Sequence, residues 1–143
     1  MSTVSVSDEA LLAEAGEARK NAYAPYSGYP VGAALLARSG RIYRGANVEN
    51  AALGLTICAE QVALVKALTE GEREFLKIAI VCGDGDRGFC RPCGACRQAL
   101  FEFAPKMKVI MGSADAREYE VKPLEELLPD AFTSSRVRRS GPG

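Results

Sequence analysis

The sequence predicts an α/β domain in which helices pack on a partly parallel sheet. Three observations carry this. After an opening helix and a hairpin, strand-length apolar runs alternate with helical repeats, an order that needs crossover connections. Two of those runs, LKIAIVC (76–82) and MKVIM (107–111), are almost continuously apolar, as strands covered on both faces are. Third, 143 residues with 48% hydrophobic and 25% charged side chains suffice for one core, and no internal repeat divides them.

The elements follow in order. Ser7 is an N-cap followed by Asp8 and Glu9, and Leu11, Ala15, Ala18 and Ala22 repeat at helical spacing, so a helix is expected from about Asp8 to Tyr23. AYAPYSGYP (22–30) breaks it with two prolines, a glycine and three tyrosines. VGAALLAR (31–38), a Ser39-Gly40 turn and RIYRGANV (41–48) read as a hairpin. After ENAALGLT, residues 58–71 (CAEQVALVKALTEG) are good helix material with Gly71 as the stop. The strand at 76–82 leads through the loop GDGDRGFCRP to a second helix, CGACRQALFEFA, opened by Pro92 and closed before Pro105. The strand at 107–111 comes next, then an optional further strand, and Pro123 starts a short helix, PLEELL. Residues 1–132 form one domain on this reading, and the tail TSSRVRRSGPG (133–143) is expected to be disordered.

Composition removes whole classes of chemistry. There is no histidine, which excludes Ser-His-Asp triads, Cys-His dyads, HExxH zinc sites and His general bases. Lys+Arg and Asp+Glu both number 18, so no basic excess calls for a nucleic acid partner. No apolar run approaches a membrane span, and the start lacks a signal-peptide layout. The five cysteines, Cys58, Cys82, Cys90, Cys93 and Cys96, are odd in number and clustered late. That fits a reduced, cytoplasmic protein whose cysteines bind metal or do chemistry. Cys82 is expected as a small buried hydrophobe and Cys90 as an exposed loop thiol.

Two groups carry the chemistry: Cys58-Ala59-Glu60 and Pro92-Cys93-Gly94-Ala95-Cys96. Each falls at a predicted helix N-terminus, where unpaired N–H groups and the helix dipole favour thiolate. Two such ends converging hold three thiolates around one zinc, leaving a fourth position for water, as in catalytic sites. Glu60, one residue from a ligand, stands beside the metal as proton shuttle. The order Cys-x-Glu then Pro-Cys-x-x-Cys matches the signature of zinc nucleobase deaminases. Alternatives stay open at this point. A lone CxxC is often a structural half-site or redox pair, and Cys90, Cys93 and Cys96 resemble the opening of an iron–sulfur run, which Leu100 fails to continue. A closed four-cysteine zinc using Cys58 or Cys82 with Cys90, Cys93 and Cys96 is also arithmetically available.

With APYSGYPVGAAL, GANVENAALGLTICAE, RPCGACRQAL and LLPDAF on the page, the chain resembles the small, single-domain cytidine deaminases that act on free nucleosides, from about Tyr23 to Phe132. The resemblance implies a three-layer α/β/α fold with a five-stranded mixed sheet, assembled as a homotetramer. It implies hydrolytic deamination of cytidine and deoxycytidine, with Cys58, Cys93 and Cys96 holding one zinc ion and Glu60 protonating N3 and then the departing amine. By position, Asn47 and Glu49 bind the sugar 3′-hydroxyl, Ala59 and the Cys93 carbonyl hold the base edge, and Phe132 reaches a neighbouring subunit's site. Three positions depart from the family's habit. Tyr29 stands for a phenylalanine that stacks on the base, Leu53 for a tyrosine at the sugar 5′ end, and Gln61 for an arginine that offsets charge at the sulfurs, leaving that task to the helix ends and Arg97. Deamination of an analogue such as blasticidin S is the nearest alternative. A structural zinc module that binds a protein, and editing of single strands, are the more distant ones.

Overall fold

The computed structural model describes residues 5–83 and 88–137. Ser7 caps the first helix, α1 (Asp8–Arg19), by accepting from the Ala10 N–H at 3.0 Å. The helix stops four residues before the expected Tyr23. Asn21 and Ala22 N–H groups turn back to the carbonyls of Ala18 and Arg19, and Tyr23 N–H instead donates to Asn47 O at 2.9 Å. Strands β1 (Val31–Ala37) and β2 (Ile42–Ala46) form the predicted hairpin, with Gly40 at φ +95° in its turn. Then come α2 (Ala59–Thr69), β3 (Phe75–Cys82), α3 (Gly94–Phe101), β4 (Lys108–Gly112), β5 (Tyr119–Pro123) and α4 (Leu124–Leu127). The optional strand therefore exists, and Pro123 does precede the last short helix. Of the tail, Ser134–Arg136 forms a short 3-10 turn, and 138–143 lie outside the described residues.

The sheet order is β2-β1-β3-β4-β5, with β3 and β4 parallel and every other pair antiparallel. This is the five-stranded mixed sheet of the α/β/α expectation. Side chains alternate along each strand, so Ala33, Leu35, Ile78, Ile80, Val109 and Met111 face α2 and α3. Ala34, Leu36, Ala79, Val81 and Ile110 face α1 through Leu11, Leu12 and Ala15. Each fully buried leucine there stabilises by about 1.5–3 kcal/mol.

Two glycines set how closely helices approach the sheet. A Cβ on Gly32 would lie 2.1 Å from Ala15 O, and one on Gly45 would lie 2.3 Å from Ala59 O and 2.6 Å from Ala63 N. The obstacles are helix backbone, so neither can move aside cheaply. Gly45 thus fixes the height of the first turn of α2 above β2. At the other face, Asp8 joins Lys77 at 2.8 Å and Lys108 at 3.4 Å, and Lys77 also donates to Val6 O. Burial works to raise the Asp8 pKa, but the Lys77 hydrogen bond and both ammonium charges outweigh it and hold the carboxyl below its ordinary value.

Gly45→Ala is expected to destabilise by about 1–3 kcal/mol in denaturant unfolding. Gly16→Ala, inside α1 with nothing within 4 Å of the new methyl, is expected to stabilise by about 0.5–1 kcal/mol. Because the Asp8 pKa is depressed on folding, its contribution is present above the unfolded value and fades as pH falls through the folded one. Asp8→Asn should therefore destabilise at pH 7, with the difference from wild type shrinking below about pH 4.

Candidate metal and substrate site

One end of the sheet gathers the functional side chains. The pairings Gly32↔Ala46 and Val31↔Cys82 bring the end of β2, the start of β1 and the end of β3 into one row. The N-termini of α2 and α3 open above that row. Cys58 is the N-cap of α2 and Cys93 the N-cap of α3, both in extended backbone. Cys96 lies in the first turn of α3, where its N–H points at Cys93 Sγ from 3.5 Å.

The three sulfurs lie within 4.8 Å of one another, with Cys58–Cys93 at 4.0 Å and Cys93–Cys96 at 3.4 Å. A tetrahedral zinc with bonds of about 2.3 Å separates its sulfurs by roughly 3.8 Å, so the triangle fits that ion. Among the described residues this is the one Cys/Asp/Glu cluster close enough to hold a metal. Burial raises the thiol pKa of Cys58 and Cys96. At Cys93 burial acts the same way, but the Cys96 N–H, its thiol neighbours and the Ala95 N–H outweigh it and draw the pKa down. A cation is what would bring all three to thiolate.

A cavity of about 240 Å³ opens beside the triangle, lined by Cys58, Ala59, Glu60 and Cys93 on the helix side and by Tyr29, Val31, Asn47, Thr56, Ile57, Cys82, Cys90 and Arg91 elsewhere. That is smaller than the roughly 300–1,000 Å³ of drug-sized sites and suits a small, flat molecule. Glu60 is 4% exposed, and burial raises its carboxyl pKa against weaker pulls from its own backbone N–H and from Cys96. A buried carboxyl that holds its proton at higher pH, facing a cavity, is suited to acid–base work.

The loops around the cavity are laced by the remaining polar groups. Asn47 accepts from Val31 N–H at 2.8 Å and donates to Tyr29 O at 3.0 Å. Glu49 accepts from the N–H groups of Tyr26 and Ser27 at 2.9 and 3.1 Å and from the Ser27 hydroxyl. These bonds hold the tyrosine-rich segment against the site. Tyr29 lines the cavity, and its hydroxyl donates to Cys82 Sγ at 3.0 Å. Phe132 lies outside the cavity lining, 61% exposed, with its carbonyl accepting from Gln98. Gln61 donates to Cys96 Sγ at 3.6 Å. Arg97 donates to the carbonyls of Pro92 and Leu127, both at 2.8 Å.

Two cysteine expectations are corrected. Cys82 and Cys90 form a disulfide, with Cα atoms 5.5 Å apart. Cys90 is not an exposed thiol but 6% exposed, and Cys82 is buried yet bonded. Gly83 turns at φ +71° after β3, and Cys90 N–H donates to Gly112 O of β4 at 2.9 Å, which sets Cys90 beside Cys82. The cysteine set is therefore not wholly reduced, and a closed four-cysteine metal site is removed because both spare sulfurs are bonded to each other. Arg91 was also unforeseen as a lining residue. It reaches Glu120 at 2.9 Å, a contact between loop and edge strand that no local pattern announces.

Residues 5–113 match the family model for the cytidine and deoxycytidylate deaminase zinc-binding region. The cytidine deaminase of Halalkalibacterium halodurans is 50% identical over 125 residues, 87% of this chain and 92% of that protein. The Mycobacterium tuberculosis enzyme is 44% identical over 126 residues, 85% of this chain and 86% of that one. The crystal structure of the Burkholderia pseudomallei cytidine deaminase superposes with a TM-score of 0.84 at 44% identity, covering 89% of this chain and all of that one. Paired thiol-bearing helix ends, a buried glutamate and this degree of likeness lead to one conclusion: the chain is an enzyme of the cytidine deaminase family.

Proposed function

We propose that the chain is a zinc-dependent deaminase of free pyrimidine nucleosides, converting cytidine and 2′-deoxycytidine to the uridines with release of ammonia, in pyrimidine salvage. The observation that carries this is the placement of buried Glu60 on the same small cavity as Cys58 and Cys93, with Cys96 completing the sulfur triangle behind them. Cys58, Cys93 and Cys96 hold one zinc ion per subunit, which when bound supplies a Lewis acid able to bring the pKa of a water to about 7.

The chain's own residues do the rest. Glu60 accepts one proton of the attacking water and delivers it to N3 of the base, then takes the second from the hydroxyl now on the base carbon and delivers it to the departing amine. Its raised pKa makes it willing to hold each proton between acceptance and delivery. The Tyr29 ring stacks on the base, and the backbone at Ala59 and Cys93 meets its polar edge. Asn47 and Glu49 take the sugar 3′-hydroxyl.

The working form on this reading is a cytoplasmic homotetramer of a single deaminase domain spanning 1–132, with Phe132 entering a neighbour's site. Exposed Tyr23, Tyr26, Leu53, Leu55 and Phe132 support a subunit contact, since a large apolar side chain left in water gains by being covered. Neutral net charge supports a small-molecule substrate over nucleic acid. No helix among the described residues is long and apolar enough to cross a membrane.

Glu60→Gln is expected to keep one zinc per chain by elemental analysis while kcat falls by about 10²–10⁴; an unchanged rate would overturn the role of Glu60. Cytidine and deoxycytidine should show the ultraviolet change of deamination, whereas CMP, cytosine and blasticidin S should not. In sedimentation the protein should run at four times the monomer mass, and Phe132→Ala should raise KM for cytidine several-fold. Full activity at the monomer mass would remove the shared site.

A further inference from the structure

The Cys82–Cys90 disulfide has a place that a purely structural bond does not need. Both cysteines are more than nine-tenths buried, and both line the cavity that also holds Cys58, Glu60 and Cys93. The bond ties the end of β3 to the segment Cys90-Arg91-Pro92, which leads directly into Cys93 at the cap of α3. The hydroxyl of Tyr29, the ring opposite, donates to Cys82 Sγ at 3.0 Å. In a reducing compartment, where this enzyme is placed above, disulfides that occur are mostly transient or sensing ones.

We propose that Cys82–Cys90 is a reversible thiol–disulfide exchange site that sets the affinity of the substrate cavity; this rests on the nucleoside deaminase reading. A thiolate of a low-molecular-weight thiol enters through the cavity and attacks Cys90 Sγ. The S–S bond breaks, and its electron pair leaves on Cys82 Sγ, where the Tyr29 hydroxyl stands as donor. A second thiol then attacks the mixed disulfide and frees Cys90. Two thiols of the reductant become one disulfide, and the two protein sulfurs gain two electrons and two protons. Oxidation by a low-molecular-weight disulfide runs the same steps backward.

The effect is confined to the wall. Cys90 N–H stays on Gly112 O, so the loop keeps its anchor on β4 when the sulfur link opens. What changes is the tie across the cavity and the acceptor of the Tyr29 hydroxyl, which is where a base would stack. Reduction therefore raises KM and leaves the sulfur triangle intact. A ligand that fills the cavity also blocks the path of the reductant.

The test uses zinc-loaded protein in glutathione buffers of graded redox ratio, with Cys82 and Cys90 thiols counted by alkylation and mass spectrometry. The bond should open and reform reversibly at constant zinc content, and saturating uridine should slow its reduction at least ten-fold. KM for cytidine should rise three-fold or more on reduction with kcat within two-fold, and a C82S/C90S variant should show the higher KM in every buffer. Should that variant fail to fold, reduced wild type gives the same comparison. A reduction rate indifferent to uridine, or a KM unchanged between redox states in an enzyme that turns over cytidine, overturns the switch and leaves the deaminase reading standing. No turnover of cytidine in either state overturns the deaminase reading and the switch with it.

Discussion

Two helix N-termini must end within one metal–sulfur bond of a common point, and the rest of the molecule is arranged around that requirement. Neither helix meets it alone. The first turn of α2 is held by the contact of its backbone with Gly45 of β2, where even a methyl group would not fit. The start of α3 is set by the parallel crossover from β3 to β4, with the approach to Cys93 pinned at Cys90 N–H to Gly112 O. Both helices rise from one end of the sheet, where strand ends, helix starts and loops together supply the lining. A single misplaced layer would separate Cys58 from Cys93 and leave two half-sites, each with too few ligands for a metal.

Electrostatics then decides what such a site can tolerate. Three thiolates outweigh the two positive charges of a zinc ion by one. Gln61 offers Cys96 a dipole without a charge. Arg97, the side chain from which compensation is expected on sequence, gives its N–H groups to the carbonyls of Pro92 and Leu127. That use is structural: it fastens the turn before α3 to the end of α4. The excess negative charge is left to the helix dipoles, whose positive ends both point at the triangle. Burial raises the pKa of Glu60 beside this triangle, and its own backbone N–H and Cys96 pull only weakly the other way.

The sulfur triangle was legible because it is written in local signals. Pro92 announces the start of α3, Ala59 onward is strong helix material, and cysteines at those starts become caps. The apolar runs 76–82 and 107–111 likewise announced buried central strands, and both are. Strand β5 was only optional because YEVKP is half-buried along its whole length and ends in proline, so neither alternation nor continuity marks it. The end of α1 was overrun because Ala22 continues the helical period, while the event that stops the helix is a long-range bridge between Tyr23 and Val48. The disulfide was hidden for a related reason. Cys82 closes a strand and Cys90 sits eight residues on, and it is a hydrogen bond to Gly112 on another strand that sets Cys90 beside it.

Asn47 and Glu49 show how a structural reading and a ligand reading coexist in the same atoms. A carboxylate offers about four acceptor positions; three donors from Tyr26 and Ser27 occupy three of those on Glu49. The Asn47 carbonyl serves Val31, and one of its two amide hydrogens serves Tyr29. Among the described residues, one acceptor position on Glu49, one lone pair of the Asn47 carbonyl and one Asn47 N–H therefore remain after the loop has been secured. A hydroxyl group donates once and accepts readily, so that remainder matches the needs of a sugar hydroxyl. The bonds that hold the loop also fix the two side chains, so under the proposed function the loop would be the scaffold of the sugar contact instead of its competitor.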